Sequence, residues 1–240
     1  MTKTQFNPLR ALRAAKTLAQ NPDDLPQVFT IIESLSGSTL ARVAERMAKS
    51  ETGSKILNDK PDVVDVLTDH AGLERLPEGT LGRAYLDFLR RENISAAGIR
   101  AASNSGMEAQ DTLPAPIDYV HRRLRDTHDL WHAAVGYHGD VLGETALLGF
   151  TFAQTHNPAI ALILAIGLLK TRNAPEARRT ILDGYKRGKK AAWLADQPWE
   201  TMLAMPLNEV RQKLGLGDPP VYTPVRTAEL RAQGLVSALA

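Results

Sequence analysis

The sequence predicts an all-α protein organised as a single multi-helix domain, and three observations carry that expectation. Apolar residues recur at three- and four-residue spacing through most of the 240 residues, whereas strand-like alternation is hard to find. Hydrophobic residues make up 43% and charged residues 23% of the chain, the balance of an ordinary folded protein with enough apolar surface for a core. Cysteine is absent, which excludes a disulfide framework, a thiolate ligand and a cysteine nucleophile, so any metal must sit on nitrogen and oxygen. A formal charge of +2 gives no argument for nucleic acid as a partner.

The first 22 residues hold Lys3, Arg10, Arg13 and Lys16 and no acidic residue, a pattern that an amphipathic transit peptide would also give. Leu9, Leu12 and Lys16 lie at helical spacing beside Ala11, Ala14 and Ala15. The turn chemistry of Asn21-Pro22-Asp23-Asp24 then leads into another apolar segment, so the stretch reads as a first structural helix. Without an apolar secretory core, a cytoplasmic protein is the simplest assignment. Val28, Ile31, Ile32 and Leu35 mark the next helix, and Leu40, Val43, Ala44 and Met47 a third, with Ser38 as its expected cap. Val63, Val64, Val66 and Leu67 form a short apolar segment. Leu81, Tyr85, Phe88 and Leu89 form a helix after the breaker Pro77-Glu78-Gly79. Residues 103–116, with Ser103-Asn104-Ser105-Gly106 and Pro114-Ala115-Pro116, read as a loop dividing an N-terminal helical part (1–102) from the remainder (117–240) within one domain spanning 1–240.

Residues 118–137 are expected as one helix, with His121, Leu124, His128, Trp131, His132 and Val135 on a face opposite Arg122 and Arg123. Residues 145–169 contain no Asp, Glu, Lys or Arg, which raises the question of a membrane span. His156-Asn157-Pro158 interrupts the run, and Pro158 belongs in the first turn of a new helix, leaving less than the ~20 apolar residues a span needs. A central apolar helix pair is the better reading. Residues 170–190 carry eight basic residues against Glu176 and Asp183. They suit either a solvated helix face or attraction to an anionic headgroup or phosphorylated ligand, where a nearby cation contributes ~1 kcal/mol. Beyond Pro198 the proline-rich chain reads as a strap, followed by a docking helix from Thr227.

His128 and His132 are four apart, so a helix sets both imidazoles on one face with about 5–6 Å between their Cβ atoms. Asp129 is about 100° further round, placed either to ligate the same ion or to orient His128. On an unbroken helix Glu144 would lie ~18 Å from His132. Gly136, Gly139 and Gly143 supply breaks that let a second helix return and present Glu144 from its first turn, a helix-turn-helix metal site. Two imidazoles and two carboxylates suit a divalent zinc, iron or manganese ion. The competing reading makes the histidines packing residues. His121 is placed to support the site from upstream, and His70, His138 and His156 read as turn or packing residues.

The run His128-Asp129-Leu130-Trp131-His132, followed after 11 residues by Glu144, resembles the hallmark of the coenzyme Q (ubiquinone) biosynthesis protein 4 family. The resemblance extends to Leu76-Pro77-Glu78-Gly79-Thr80-Leu81-Gly82-Arg83-Ala84-Tyr85, similar to the family's Pro-x-Gly-Ser/Thr-Leu-Gly-x-x-Tyr, and to Trp199-Glu200 and Pro206-Leu207-Asn208-Glu209-Val210-Arg211. The lack of an added presequence points to a bacterial member. The resemblance implies an all-helical enzyme of ubiquinone biosynthesis acting on a polyprenylated aromatic precursor: a decarboxylase and hydroxylase at ring carbon 1, spanning lyase and oxidoreductase chemistry. It implies peripheral contact with the inner face of the cell membrane and with other ubiquinone biosynthesis enzymes, and a homodimer is compatible with it. His128, Asp129, His132 and Glu144 would act through the metal. Two rivals stand beside this reading: a lipid-binding scaffold with a structural metal, and a His-Asp type metal phosphohydrolase.

Overall fold

The computed structural model describes residues 6–94 and 114–234, and among these every regular element is a helix. In chain order they are α1 (Pro8–Gln20), α2 (Leu25–Leu35), α3 (Thr39–Met47), α4 (Glu51–Asp59), α5 (Val63–Thr68), α6 (His70–Arg75) and α7 (Leu81–Glu92). After the undescribed stretch come α8 (Ala115–Asp126), α9 (His128–Val135), α10 (Val141–Thr155), α11 (Pro158–Lys170), α12 (Pro175–Lys190), a short 3-10 helix (Leu194–Asp196), α13 (Trp199–Met202), α14 (Leu207–Leu214) and α15 (Thr227–Ala232). The expected loop at 103–116 lies mostly outside the described residues. Its end, Ala115 and Pro116, is already the first turn of α8, where proline's missing N–H costs no hydrogen bond.

The α1–α2 hairpin starts where the Asn7 side chain accepts the Arg10 N–H at 3.0 Å. It buries three alanines and a leucine of α1: Ala11, Ala14, Ala15 and Leu18 pack with Ile31, Leu35, Ala159 and Ile163. Leu9 and Leu12, at helical spacing in the sequence, mark the outer face and are 68% and 61% exposed. Ser38 does not cap α3 through its side chain; its hydroxyl accepts from Arg42 instead, at 2.6 Å. Ser50 does cap α4, a helix the apolar spacing did not announce, by accepting the Gly53 N–H at 3.0 Å.

The main core joins α7 (Leu81, Tyr85, Leu86, Phe88, Leu89) to α9 (Leu130, Trp131, Ala134, Val135) and α10 (Ala146, Leu147, Phe150), closed by Trp199, Val210 and Leu214. Two segments distant in sequence meet at its edge, where the Leu81 and Gly82 N–H groups donate to the Met205 and Leu203 carbonyls at 2.9 and 2.8 Å. The apolar helix pair is present as α10 and α11. α10 has a second, tighter partner in the basic helix α12, where Gly184 sits against the Ala146 backbone so closely that a Cβ would lie 2.1 Å from its carbonyl oxygen.

The single helix expected over 118–137 is divided at Thr127. Its hydroxyl donates back to the Arg123 carbonyl at 2.8 Å, a competing bond that bends helices. Arg123 is not on a solvated face: it is 4% exposed and clasps Glu200 with two bonds of 2.6 and 3.0 Å. Of the stretch expected as a strap, Trp199–Met202 and Leu207–Leu214 are helical, and residues 215–226 run without regular structure to α15, which is tied to the α1–α2 turn by Thr227 and Arg231 on Asp23.

Candidate metal centre

Residues 136–140 turn the chain between α9 and α10, and each end of the turn has a physical cause. Gly136 ends α9 in the left-handed region at φ +93°, where its N–H reaches the His132 carbonyl at 2.8 Å. Asp140 opens α10 as its N-cap, one carboxylate oxygen accepting from the Leu142 and Gly143 N–H groups at 3.0 and 3.2 Å. The last carbonyls of α9 are taken by cations: Arg211 donates to Ala134 at 2.9 Å and Arg187 to Val135 at 2.9 Å. Arg187, part of the basic run 170–190, therefore has a structural task.

The returning helix presents Glu144 from its first turn. Ligating atoms of His128, His132 and Glu144 lie within 4.8 Å of one another, with Glu144 3.2 Å from His132 Nε2 and 3.8 Å from His128 Nε2. His132 is fully buried beneath Phe88, whose ring stacks on it at 5.0 Å between centroids. Its Nδ1 is 3.1 Å from the Tyr137 carbonyl. A carbonyl only accepts, so the ring proton belongs on Nδ1 and the lone pair on Nε2. Nε2 is itself buried with no hydrogen-bond partner. An orphaned imidazole lone pair aimed at a carboxylate is an arrangement that a cation between them satisfies, and the residues fit a metal on that ground.

Asp129 is buried outside this cluster of atoms. Its carboxylate lies 3.4 Å from His128 Nδ1, on the opposite side of the ring from Glu144. That places it to orient His128. Burial pushes His128 toward the neutral form, but Asp129 and the charge of Glu144 outweigh it and raise its pKa. Burial likewise raises Glu144, yet the charge and hydrogen bond that His132 and His128 offer with both ring nitrogens protonated hold it down to about 2, the Nε2 proton of His132 then standing where a cation would sit, so this carboxylate is ionised at neutral pH. The His128 and Glu144 side chains remain 32% and 41% exposed, which leaves one side of the cluster open. Two imidazoles, one carboxylate and an open side are the donor set of catalytic zinc and of mononuclear iron sites.

Among the described residues no other group of three His, Asp or Glu lies at ligand distance. His121 is buried on α8 and is not part of the cluster. His138 lies in the turn and His156 caps α10, whereas His70, expected in a turn or in packing, is the exposed first residue of α6. Sequence spacing missed Phe88 as the wall over His132, and it missed Asp140 and Tyr222. Asp140 carried a signal, an acidic residue directly ahead of a helical run; Tyr222, on the strap, carried none.

Comparison with known proteins matches residues 4–220 to the family described as Coenzyme Q (ubiquinone) biosynthesis protein Coq4. The mitochondrial ubiquinone biosynthesis protein COQ4 homolog of Danio rerio is 30% identical over 223 residues, which cover 92% of this chain and 80% of that protein. The mitochondrial ubiquinone biosynthesis protein coq4 of Pyrenophora tritici-repentis (strain Pt-1C-BFP) is 32% identical over 218 residues, 87% of this chain and 72% of that one. A crystal structure from Nostoc punctiforme PCC 73102 superposes with a TM-score of 0.64 at 23% identity, covering 89% of this chain and 100% of that one, and speaks to the fold alone.

Proposed function

We propose that this chain, which belongs to the Coenzyme Q (ubiquinone) biosynthesis protein Coq4 family, serves ubiquinone biosynthesis as a metal-dependent enzyme that removes the carboxyl group at ring carbon 1 of a polyprenylated benzoate and places a hydroxyl there. The observation that carries the reading is the orphaned, buried His132 Nε2 facing the Glu144 carboxylate at 3.2 Å, with one side of the cluster open. A divalent ion held by His128, His132 and Glu144 would supply Lewis acidity toward the carboxylate or phenolate oxygen as negative charge develops on loss of carbon dioxide. Exchanging the carboxyl for a hydroxyl is a two-electron oxidation, for which dioxygen would be the electron acceptor and water the source of the hydroxyl, releasing carbon dioxide and hydrogen peroxide, and iron or manganese suits such redox chemistry better than zinc. Within the chain, Asp129 orients His128, Tyr137 fixes the His132 tautomer and Phe88 keeps water from the buried ring. Leu148, one turn beyond Glu144, packs toward the apolar cluster of α1, α2 and α11, a direction in which a prenyl tail can leave the site.

The scaffold reading with a closed structural metal fits less well, because a structural shell has no use for an open side. The test is elemental analysis of protein purified without a histidine tag, beside His132→Ala, together with turnover of a prenylated hydroxybenzoate. Metal is expected in the wild type at about one equivalent per chain and lost in the variant. Equal metal in both removes the site, and intact ring decarboxylation by a folded His128→Ala/Glu144→Ala double variant removes the catalytic role.

Peripheral membrane contact belongs to the same proposal. Among the described residues no helix is long and apolar enough to cross a membrane. What supports surface contact is the outer face of α1, where Leu9 and Leu12 are more than 60% exposed, together with Phe6 just ahead of the helix, which is equally exposed.

A further inference from the structure

We propose that Tyr222, on the strap, is a positioning residue of the metal centre: its hydroxyl couples the Asp140 carboxylate to the His132 ring and fixes the distance between His132 and Glu144. This rests on the metal reading above. The Tyr222 hydroxyl donates to Asp140 Oδ2 at 2.7 Å and accepts the His138 N–H at 2.9 Å. That N–H belongs to the peptide unit whose carbonyl, that of Tyr137, takes the Nδ1 proton of His132 at 3.1 Å. One rigid peptide plane therefore joins the imidazole to the phenol, and the phenol joins it to a buried carboxylate. Each bond in such a chain polarises the next, so the Asp140 charge strengthens the Tyr137 carbonyl as an acceptor and makes His132 Nε2 a better ligand.

Asp140 works on both ligand helices. Its other oxygen accepts from Leu142 and Gly143, which sets the first turn of α10 and hence Glu144, and from the Val225 N–H of the strap at 2.8 Å. Tyr222 thus spans the turn from the α9 side to the α10 side. Gly143 has the clearance this needs, since a Cβ there would lie 2.4 Å from the Tyr222 hydroxyl and 2.1 Å from the His138 carbonyl oxygen. The Tyr222 ring packs on Tyr137 and His138 at 6.0 and 5.7 Å between centroids, so removing the hydroxyl alone leaves the strap seated.

The experiment compares wild type, His132→Ala and Tyr222→Phe for Zn(II) affinity by chelator competition, and records the visible spectrum of the Co(II) forms. Tyr222→Phe is expected to keep its helical circular dichroism, to bind about tenfold to a hundredfold more weakly, and to shift its Co(II) bands through altered ligand geometry. If wild type binds no metal better than His132→Ala, the metal reading falls and takes this inference with it. If wild type binds and Tyr222→Phe matches it in affinity and spectrum, this inference alone is overturned. Should the variant not fold, the wild type decides: ring ¹⁵N shifts must report His132 protonated on Nδ1, and the Tyr222 hydroxyl proton must exchange slowly enough to be resolved. An Nε2-protonated ring or a freely exchanging hydroxyl overturns the proposal.

Discussion

His121 is 6% exposed on α8, and burial, reinforced by the charge of Arg125, pushes its pKa down from 6.5 to about 4 against the pull of Asp118 and Asp126. A base whose folded pKa is depressed binds its proton more readily in the unfolded chain. Its stabilising effect is therefore complete above about pH 6.5 and is lost as pH falls from there toward about 4. The shift corresponds to about 3 kcal/mol at most. Replacing His121 by Gln is expected to flatten this part of the profile, so urea unfolding at about pH 7 and about pH 4 should show wild type losing more stability than H121Q. Parallel loss in the two proteins would rule the assignment out. Sequence spacing placed His121 on the right face of the helix, but it could not see that the site lies elsewhere. Arg123 shows the same limit: its partner Glu200 is 77 positions away, and no local periodicity reveals that an arginine beside Arg122 is buried by that partner.

The helices are where local chemistry was most legible. Apolar stripes found α2, α3 and α7, and the His128, His132 and Glu144 spacing with its intervening glycines found the return of α10 to α9. What escaped was set by contact between elements. The break at Thr127 is one hydroxyl choosing a carbonyl, and the choice of α12 as the close neighbour of α10 depends on which backbones can approach. Alanine at Gly184 should favour an isolated helix by about 1 kcal/mol, yet its methyl would lie 2.1 Å from the Ala146 carbonyl oxygen. Neither backbone can give way without moving a packed helix, so the clash prevails. Gly184→Ala is expected to lose about 2 kcal/mol net, seen as a fall of roughly 4–8 °C in Tm. Because α10 carries Glu144, bound metal should fall with it. An unchanged or raised Tm would mean that α10 and α12 are not in backbone contact.

Taken as a whole, the molecule turns the alanines and Leu18 of α1 inward and leaves Leu9 and Leu12, with Phe6 ahead of the helix, outward. Alanines face α2 and α11, while Phe6, Leu9 and Leu12 stand 66%, 68% and 61% exposed beside Arg13 and Lys16, with no acidic residue in the first 22 positions. A helix loses free energy by holding such side chains in water, and an interfacial lipid layer relieves that at ~0.8 kcal/mol per buried CH₂, to which each cation near an anionic surface adds ~1 kcal/mol. The apolar term is the larger of the two, so salt should weaken binding without abolishing it. The basic helix α12 makes the opposite demand, since an attachment through its lysines and arginines would be purely electrostatic and would vanish at high salt. The hairpin also packs on α11 and reaches Leu148, one turn beyond Glu144, which sets the exposed apolar face of α1 and the His128, His132 and Glu144 cluster on two sides of one apolar cluster. Flotation with vesicles containing phosphatidylglycerol should therefore recover wild type at low and moderate salt. It should lose most of a Leu9→Ser/Leu12→Ser variant, and spare a variant with Lys186, Lys189 and Lys190 changed to Gln. A serine variant that floats as well as wild type would move the contact from α1 to the basic face of α12.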